Sequence, residues 1–133
     1  MNSAMDISAS ALTAHRLRME VAAHNMANSQ TVGYKRQSVE LAANKLPTFD
    51  ELLEGEKGGG VRVTGVTEKE TPFTLKLDPS NPAADKNGYI KVPQSDPIAD
   101  MVDLMESVRA YEANLAAIDA TRSIAQQSLS IGK

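Results

Sequence analysis

The sequence predicts a mainly α protein: long N- and C-terminal helices packed as a coiled-coil-like pair, with a small β-rich insert between them. Three observations carry this expectation. The last third holds an apolar repeat of ~3.5 residues, the spacing of a helix whose seam packs on a partner helix. Near the N-terminus, Met5, Leu12, Met19 and Met26 recur every seven residues. The stretch between is broken by proline and glycine and carries short alternating apolar runs, the pattern of strands and turns. The expected division is residues 1–34 for the first helix and its turn, 35–95 for the insert with a mobile loop at 44–60, and 96–133 for the second helix.

Residues 4–27 read as the first helix, with Ser3 and Asp6 as a capping box. Its stripe is thin and rich in methionine, a side chain that adapts to irregular surfaces. At about 1.5–3 kcal/mol per fully buried Leu or Met, such a stripe cannot offset the entropy of ordering the helix that carries it. It needs a second apolar surface, and the C-terminal seam is the only long one. Leu12, Met19 and Met26 are therefore expected to pack on Leu104, Val108, Tyr111, Leu115 and Ile118. The helix should end in Ala27 to Tyr34, where Asn28 suits a C-cap and Gly33 a turn.

Within the insert, Tyr34 to Leu41 reads as a short strand. Pro47, the acidic residues Asp50, Glu51, Glu54 and Glu56, and Gly58-Gly59-Gly60 read as loop, with room for a helical turn at Phe49–Leu53. Val61 to Thr67 alternates and is rich in β-branched residues, so it is a strand. Phe73 to Leu77 alternates again and is stopped by Asp78-Pro79 and Asn81-Pro82. Asn87-Gly88 is a turn signal, and Tyr89 to Val92 resumes extended chain up to Pro93.

The second helix opens on Asp96, a good N-cap, followed by Pro97 at the first helical position. Asp100 and Asp103 place negative charge near the positive end of its dipole. With Met101 at heptad position a, that position reads Met101, Val108, Leu115, Arg122 and Leu129, and position d reads Leu104, Tyr111, Ile118 and Ala125. Ile98, Val102 and Met105 add apolar surface beyond the seam, and Ala110, Ala113, Ala116, Ala117 and Ala120 occupy outer positions. Those alanines either allow close approach of a neighbour or only reflect alanine's helix propensity. Gly132 lies just past the expected end.

The chain has 133 residues, 4% aromatics, no cysteine and a net charge of −3. Scarce aromatics limit the core. Without thiols there are no disulfides and no thiolate chemistry. Basic residues do not cluster, which argues against nucleic acid. No apolar run approaches the ~18 residues of a membrane span, so no membrane insertion is expected. A secretory signal is not expected either, since Asp6 falls where its apolar core would begin.

Candidates for chemistry are weak. His15 and His24 point to opposite faces of one helix and cannot share a metal. Ser130-Ile131-Gly132-Lys133 has the spacing of a hydrolase motif without its companions. The triple glycine is not followed by Gly-Lys-Ser/Thr, so it is no phosphate loop. Asp78, Asp85 and Asn87 lack calcium-loop spacing. Glu106, Arg109 and Glu112 form a row of charges on one helix side. No enzyme activity, cofactor or metal is expected.

Three stretches are more specific. They are Ala27-Asn28 followed by Thr31-x-Gly33-Tyr34-Lys35-Arg36; Asp78-Pro79-Ser80-Asn81-Pro82-Ala83-Ala84-Asp85-x-x-Gly88-Tyr89-Ile90-x-x-Pro93; and Met101-Val102-Asp103-Leu104-Met105 with Arg109-Ala110-Tyr111-Glu112-Ala113-Asn114. The outer two resemble the terminal signatures of bacterial flagellar rod and hook proteins, and the middle one resembles proximal-rod subunits. The resemblance implies a structural subunit of the basal-body rod, exported by the flagellar type III apparatus without a cleaved signal. Such subunits assemble helically, with terminal helices forming the tube wall, across the periplasmic space.

The implied partners are copies of itself, other rod subunits, the ring and export-gate junction, and the export apparatus. The residues expected to carry packing and assembly are Met5, Leu12, Met19, Met26, Asn28, Gly33, Tyr34, Met101, Leu104, Met105, Val108, Arg109, Tyr111, Asn114, Leu115 and Ile118. The terminal helices are expected to be poorly ordered in the isolated chain. Two other readings stand beside this one: another rod or hook axial subunit, and a soluble helical-hairpin adaptor or secretion chaperone.

Overall fold

The computed structural model describes residues 2–48, 53, 58–70 and 72–131. The element order is α1 (Asn2–Ala27), β1 (Gln37–Ala43), β2 (Val61–Glu68), β3 (Phe73–Leu77), β4 (Tyr89–Pro93) and α2 (Pro97–Ile131). Two long helices thus flank two antiparallel strand pairs, β1–β2 and β3–β4. The helical turn expected at Phe49–Leu53 and the cap expected at Gly132 lie outside the described residues, apart from Leu53.

Local chemistry sets the α2 start. Asp96 Oδ1 accepts from the Ile98 N–H at 3.0 Å and the Ala99 N–H at 3.4 Å, satisfying donors that a helix start leaves open. α1 begins at Asn2, so Ser3 is a helical residue and not the cap in front of it. β1 begins at Gln37, three residues later than expected. Tyr34, Lys35 and Arg36 are instead used in the turn between α1 and the sheet.

The helices run antiparallel. Ser95 Oγ donates to Ser29 O at 3.0 Å, and Arg36 bridges from the turn to Asp100. Arg18 and Ser107, each seven residues farther into its helix than Asn25 and Asp100, border the same cleft. Continued at ~1.5 Å per residue, Asn2 falls opposite about Ser123, and the end of α2 extends past its partner.

The interior is small and partly polar. Among the described residues the buried apolar set is Ala14, Val21, Ala22, Ile90 and Pro93, and the buried polar set is Asn25, Asp100 and Ser107. The triple glycine closes β1–β2 onto α1. Gly60 has φ +84°, a Cβ there would lie 2.5 Å from Ser10 Oγ, and that hydroxyl accepts from the Val61 N–H at 3.0 Å. Only glycine allows this approach.

Candidate assembly interface

Hydrogen bonds concentrate where α1 ends. Asn25 is buried, and its side chain acts as a third strand-like partner for Gln37. Nδ2 donates to Gln37 O at 2.8 Å, and Oδ1 accepts from Gln37 N at 2.9 Å. The same Oδ1 accepts from the Tyr34 hydroxyl at 2.8 Å, and His24 Nδ1 lies 2.9 Å from that hydroxyl. Burial, reinforced by the Asp100 and Glu68 charges, raises the Tyr34 phenol above its ordinary value, with Arg36 opposing. Asn28 Nδ2 donates to His24 O at 2.9 Å, and Thr31 Oγ1 donates to Asn28 Oδ1 at 3.2 Å. Gly33, at φ +73°, donates its N–H to Lys91 O at 3.2 Å, joining β4 to the turn. The Asn28 to Arg36 motif is therefore a hub that fixes α1, both strand pairs and α2 relative to one another.

Arg36 completes the hub. Its guanidinium donates twice to Asp100 Oδ1, from Nε at 3.0 Å and from Nη2, and reaches Asp103 at 3.5 Å. Asp100 is 1% exposed. Its Oδ2 is buried without a hydrogen-bond partner and belongs to a polar cleft of about 270 Å³ bordered by Arg18, Asn25, Arg36 and Ser107. The sequence pointed to Asn28, Gly33 and Tyr34 but not to Asn25 or the Arg36–Asp100 pair, whose members are 64 residues apart.

The face that α2 turns towards α1 differs from the expected a/d seam. Position d is inward: Leu104, Tyr111 and Ile118 are half-buried. Its inward companions are at position g, one residue before each a: Asp100, Ser107, Asn114 and Thr121. Asp100 is held by Arg36, and the other three satisfy themselves within the helix. Ser107 Oγ, Asn114 Nδ2 and Thr121 Oγ1 each donate at 2.8 Å to the carbonyl four residues back, so the small residues face α1 with their donors already used. On α1 the fully buried positions are Ala14, Val21, Ala22 and Asn25, while Met5, Leu12, Met19 and Met26 are half-buried at their flank.

The a positions consequently lie at the outer edge of the contact with α1. Val108 is 36% exposed, Leu115 is 45% exposed, and Ile98, Met101, Val102 and Met105 are more exposed still. The expected packing of Val108 and Leu115 against α1 is corrected on this point, because the smaller g residues take that side and allow the backbones closer together. Arg109 is also exposed, on the side of Val102. Ile98, Met101, Met105 and Val108 follow 3- and 4-residue spacing, Leu115 comes one heptad later, and together they form a second seam with no partner among the described residues. Exposed apolar rows of this kind mark protein–protein contact. Among the described residues no three metal-ligating side chains converge, and no helix is long and apolar enough to cross a membrane.

Comparison with known proteins agrees in both terminal regions. Residues 5–35 match the family described as "Flagella basal body rod protein", and residues 86–131 match "Flagellar basal body rod FlgEFG protein C-terminal". The chain is similar to the flagellar basal-body rod protein FlgC of Bacillus subtilis, with 40% identity covering 97% of this chain and 96% of that protein. Similarity to FlgC of Aquifex aeolicus is 38% identity over 98% and 96% of the two chains. With FlgC of Salmonella typhimurium it is 35% over 96% and 95%.

Proposed function

This chain belongs to the FlgC family of flagellar basal-body rod proteins and is a structural subunit of that rod, and from that premise we infer that it assembles helically through its terminal helices and transmits torque. Residues 1–34 and 96–133 form the shaft wall as a coiled-coil-like pair, and 35–95 face outward. Its partners are its own copies, the neighbouring rod subunits, the junction with the ring and export gate, and the type III apparatus that carries it to the periplasmic span without a cleaved signal. It acts as a mechanical element and not as an enzyme.

The observation that carries this reading is the second seam of α2. Between its own helices the chain places Leu104, Tyr111 and Ile118 among small and polar side chains, and it leaves Ile98, Met101, Met105, Val108 and Leu115 exposed. An adaptor that folds alone would bury its large apolar residues first. Packed seams resist sliding because interlocked side chains must leave their holes together, which is what a torque-bearing shaft needs.

The test is Leu115→Asp. Position 115 is exposed in the single chain, so helix content measured by circular dichroism should be unchanged. In the rod the substitution buries an unpaired charge, and the chain should be lost from isolated basal bodies, with loss of motility. Normal incorporation of this variant would overturn the reading.

A further inference from the structure

We propose that the β3–β4 ribbon of one copy docks its apolar face on the outward seam of α2 in the next copy, in a register set by Lys91 against Glu112. The proposal rests on the reading above, that copies of this chain associate in the rod.

The ribbon is built with Phe73, Leu75, Leu77 and Tyr89 outward. Alternation puts Phe73, Leu75 and Leu77 on one face of β3, and the pairing of Leu75 with Lys91 and Leu77 with Tyr89 brings those two residues onto the same face. Leu75 is 60% exposed and Leu77 61% exposed, whereas Ile90, on the opposite face, is buried. The ribbon pairs with no third strand among the described residues. A two-stranded ribbon is at best marginal in water and needs a surface to pack on.

The α2 seam fits it in length and charge. Five ribbon residues at ~3.3 Å span about 17 Å, and Met105 to Leu115 at ~1.5 Å per residue span about 15 Å. The ribbon face carries one charge, Lys91, beside Leu75. The seam from Ile98 to Leu115 carries Glu112, between Val108 and Leu115, with Arg109 three residues earlier at the seam's Val102 side. The signs of Lys91 and Glu112 are opposite, and among the described residues neither group has an ion-pair partner within the chain. Setting Lys91 on Glu112 places Leu75 against Val108 and Leu115. The two surfaces differ from each other, so the contact is head-to-tail and propagates from copy to copy instead of closing a symmetric dimer.

The chain contains no cysteine, so every disulfide reports an introduced pair. The experiment co-expresses Leu75→Cys with Val108→Cys, and separately Leu75→Cys with Leu115→Cys, then oxidises isolated basal bodies. A dimer containing one of each variant is expected from at least one pairing, with none from Leu75→Cys alone. Lys91→Glu should lower the yield per incorporated chain at least fivefold, and adding Glu112→Lys should restore it. A Leu75→Cys dimer with itself, a cross-link to a different basal-body protein, or no cross-link among incorporated chains would overturn the docking. Failure of the charge exchange to restore the yield would overturn the register. Absence of the unsubstituted chain from basal bodies would instead overturn the rod assignment, and the docking with it.

Discussion

Replacing Arg36 with Met tests whether the hub depends on one ion pair. Two guanidinium bonds go to Oδ1 of Asp100, a carboxylate 1% exposed whose other oxygen has no partner among the described residues. Removing the cation leaves a buried charge unpaired, a loss of about 3–5 kcal/mol in general. The Arg36 side chain is 32% exposed, so water screens the pair and the lower end applies, about 3 kcal/mol. The longer contact to half-exposed Asp103 adds no more than a few tenths of a kcal/mol. For a chain of this size the loss should lower the melting temperature by roughly 10 °C. The assay is a double-mutant cycle of Arg36→Met, Asp100→Asn and the pair, followed by urea unfolding with circular dichroism. The double variant carries no stranded charge, so its total loss should fall below the sum of the single losses by about 1.5 kcal/mol or more. Additive losses, or a single loss under about 0.5 kcal/mol for Arg36→Met, would refute the reasoning.

Gly60→Ala should destabilise by about 1–3 kcal/mol, because it forces a side chain into a left-handed conformation and against Ser10 Oγ; an unchanged urea midpoint would contradict the close approach of β2 to α1. His15 gives a pH dependence. Burial, and secondarily the Arg18 charge, hold its pKa below the usual 6.5. The unfolded chain therefore takes up the proton first as pH falls, and the fold loses stability as pH drops below about 6.5, while above it the contribution is complete. Wild type should lose more stability than His15→Gln between pH 8 and pH 5.5, and equal losses would contradict this.

Features set by neighbouring residues were legible in the sequence. Asp96-Pro97 starts α2 through bonds that span two or three residues, Asn87-Gly88 makes its turn, and Val61 to Thr67 alternates as β2 does. Hydrophobic periodicity also located both helices. It placed position d correctly and position a wrongly, because it weights large apolar side chains and passes over Asp100, Ser107, Asn114 and Thr121, a polar repeat of the same period. That repeat was available in the sequence as a signal. Its inward placement follows from the bonds of Ser107, Asn114 and Thr121 to their own helix. The alternation of β3 was equally plain, but not that its apolar side faces out, since that depends on what the rest of the fold offers to cover. Arg36 finding Asp100, and Asn25 completing Gln37, are long-range pairings that local chemistry does not encode.

Methionine oxidation measures the central claim most directly. Met101 and Met105 lie on the bare seam of α2, whereas Met19 and Met26 are half-buried beside the intramolecular interface. Under dilute peroxide, Met101 and Met105 of the isolated chain should form sulfoxide faster than Met19 and Met26. In intact basal bodies both should become at least tenfold slower, since a neighbour then covers them. Equal reactivity of Met101 and Met105 in the two states would mean that the seam stays bare in the rod, and that neighbouring subunits are held by some other surface.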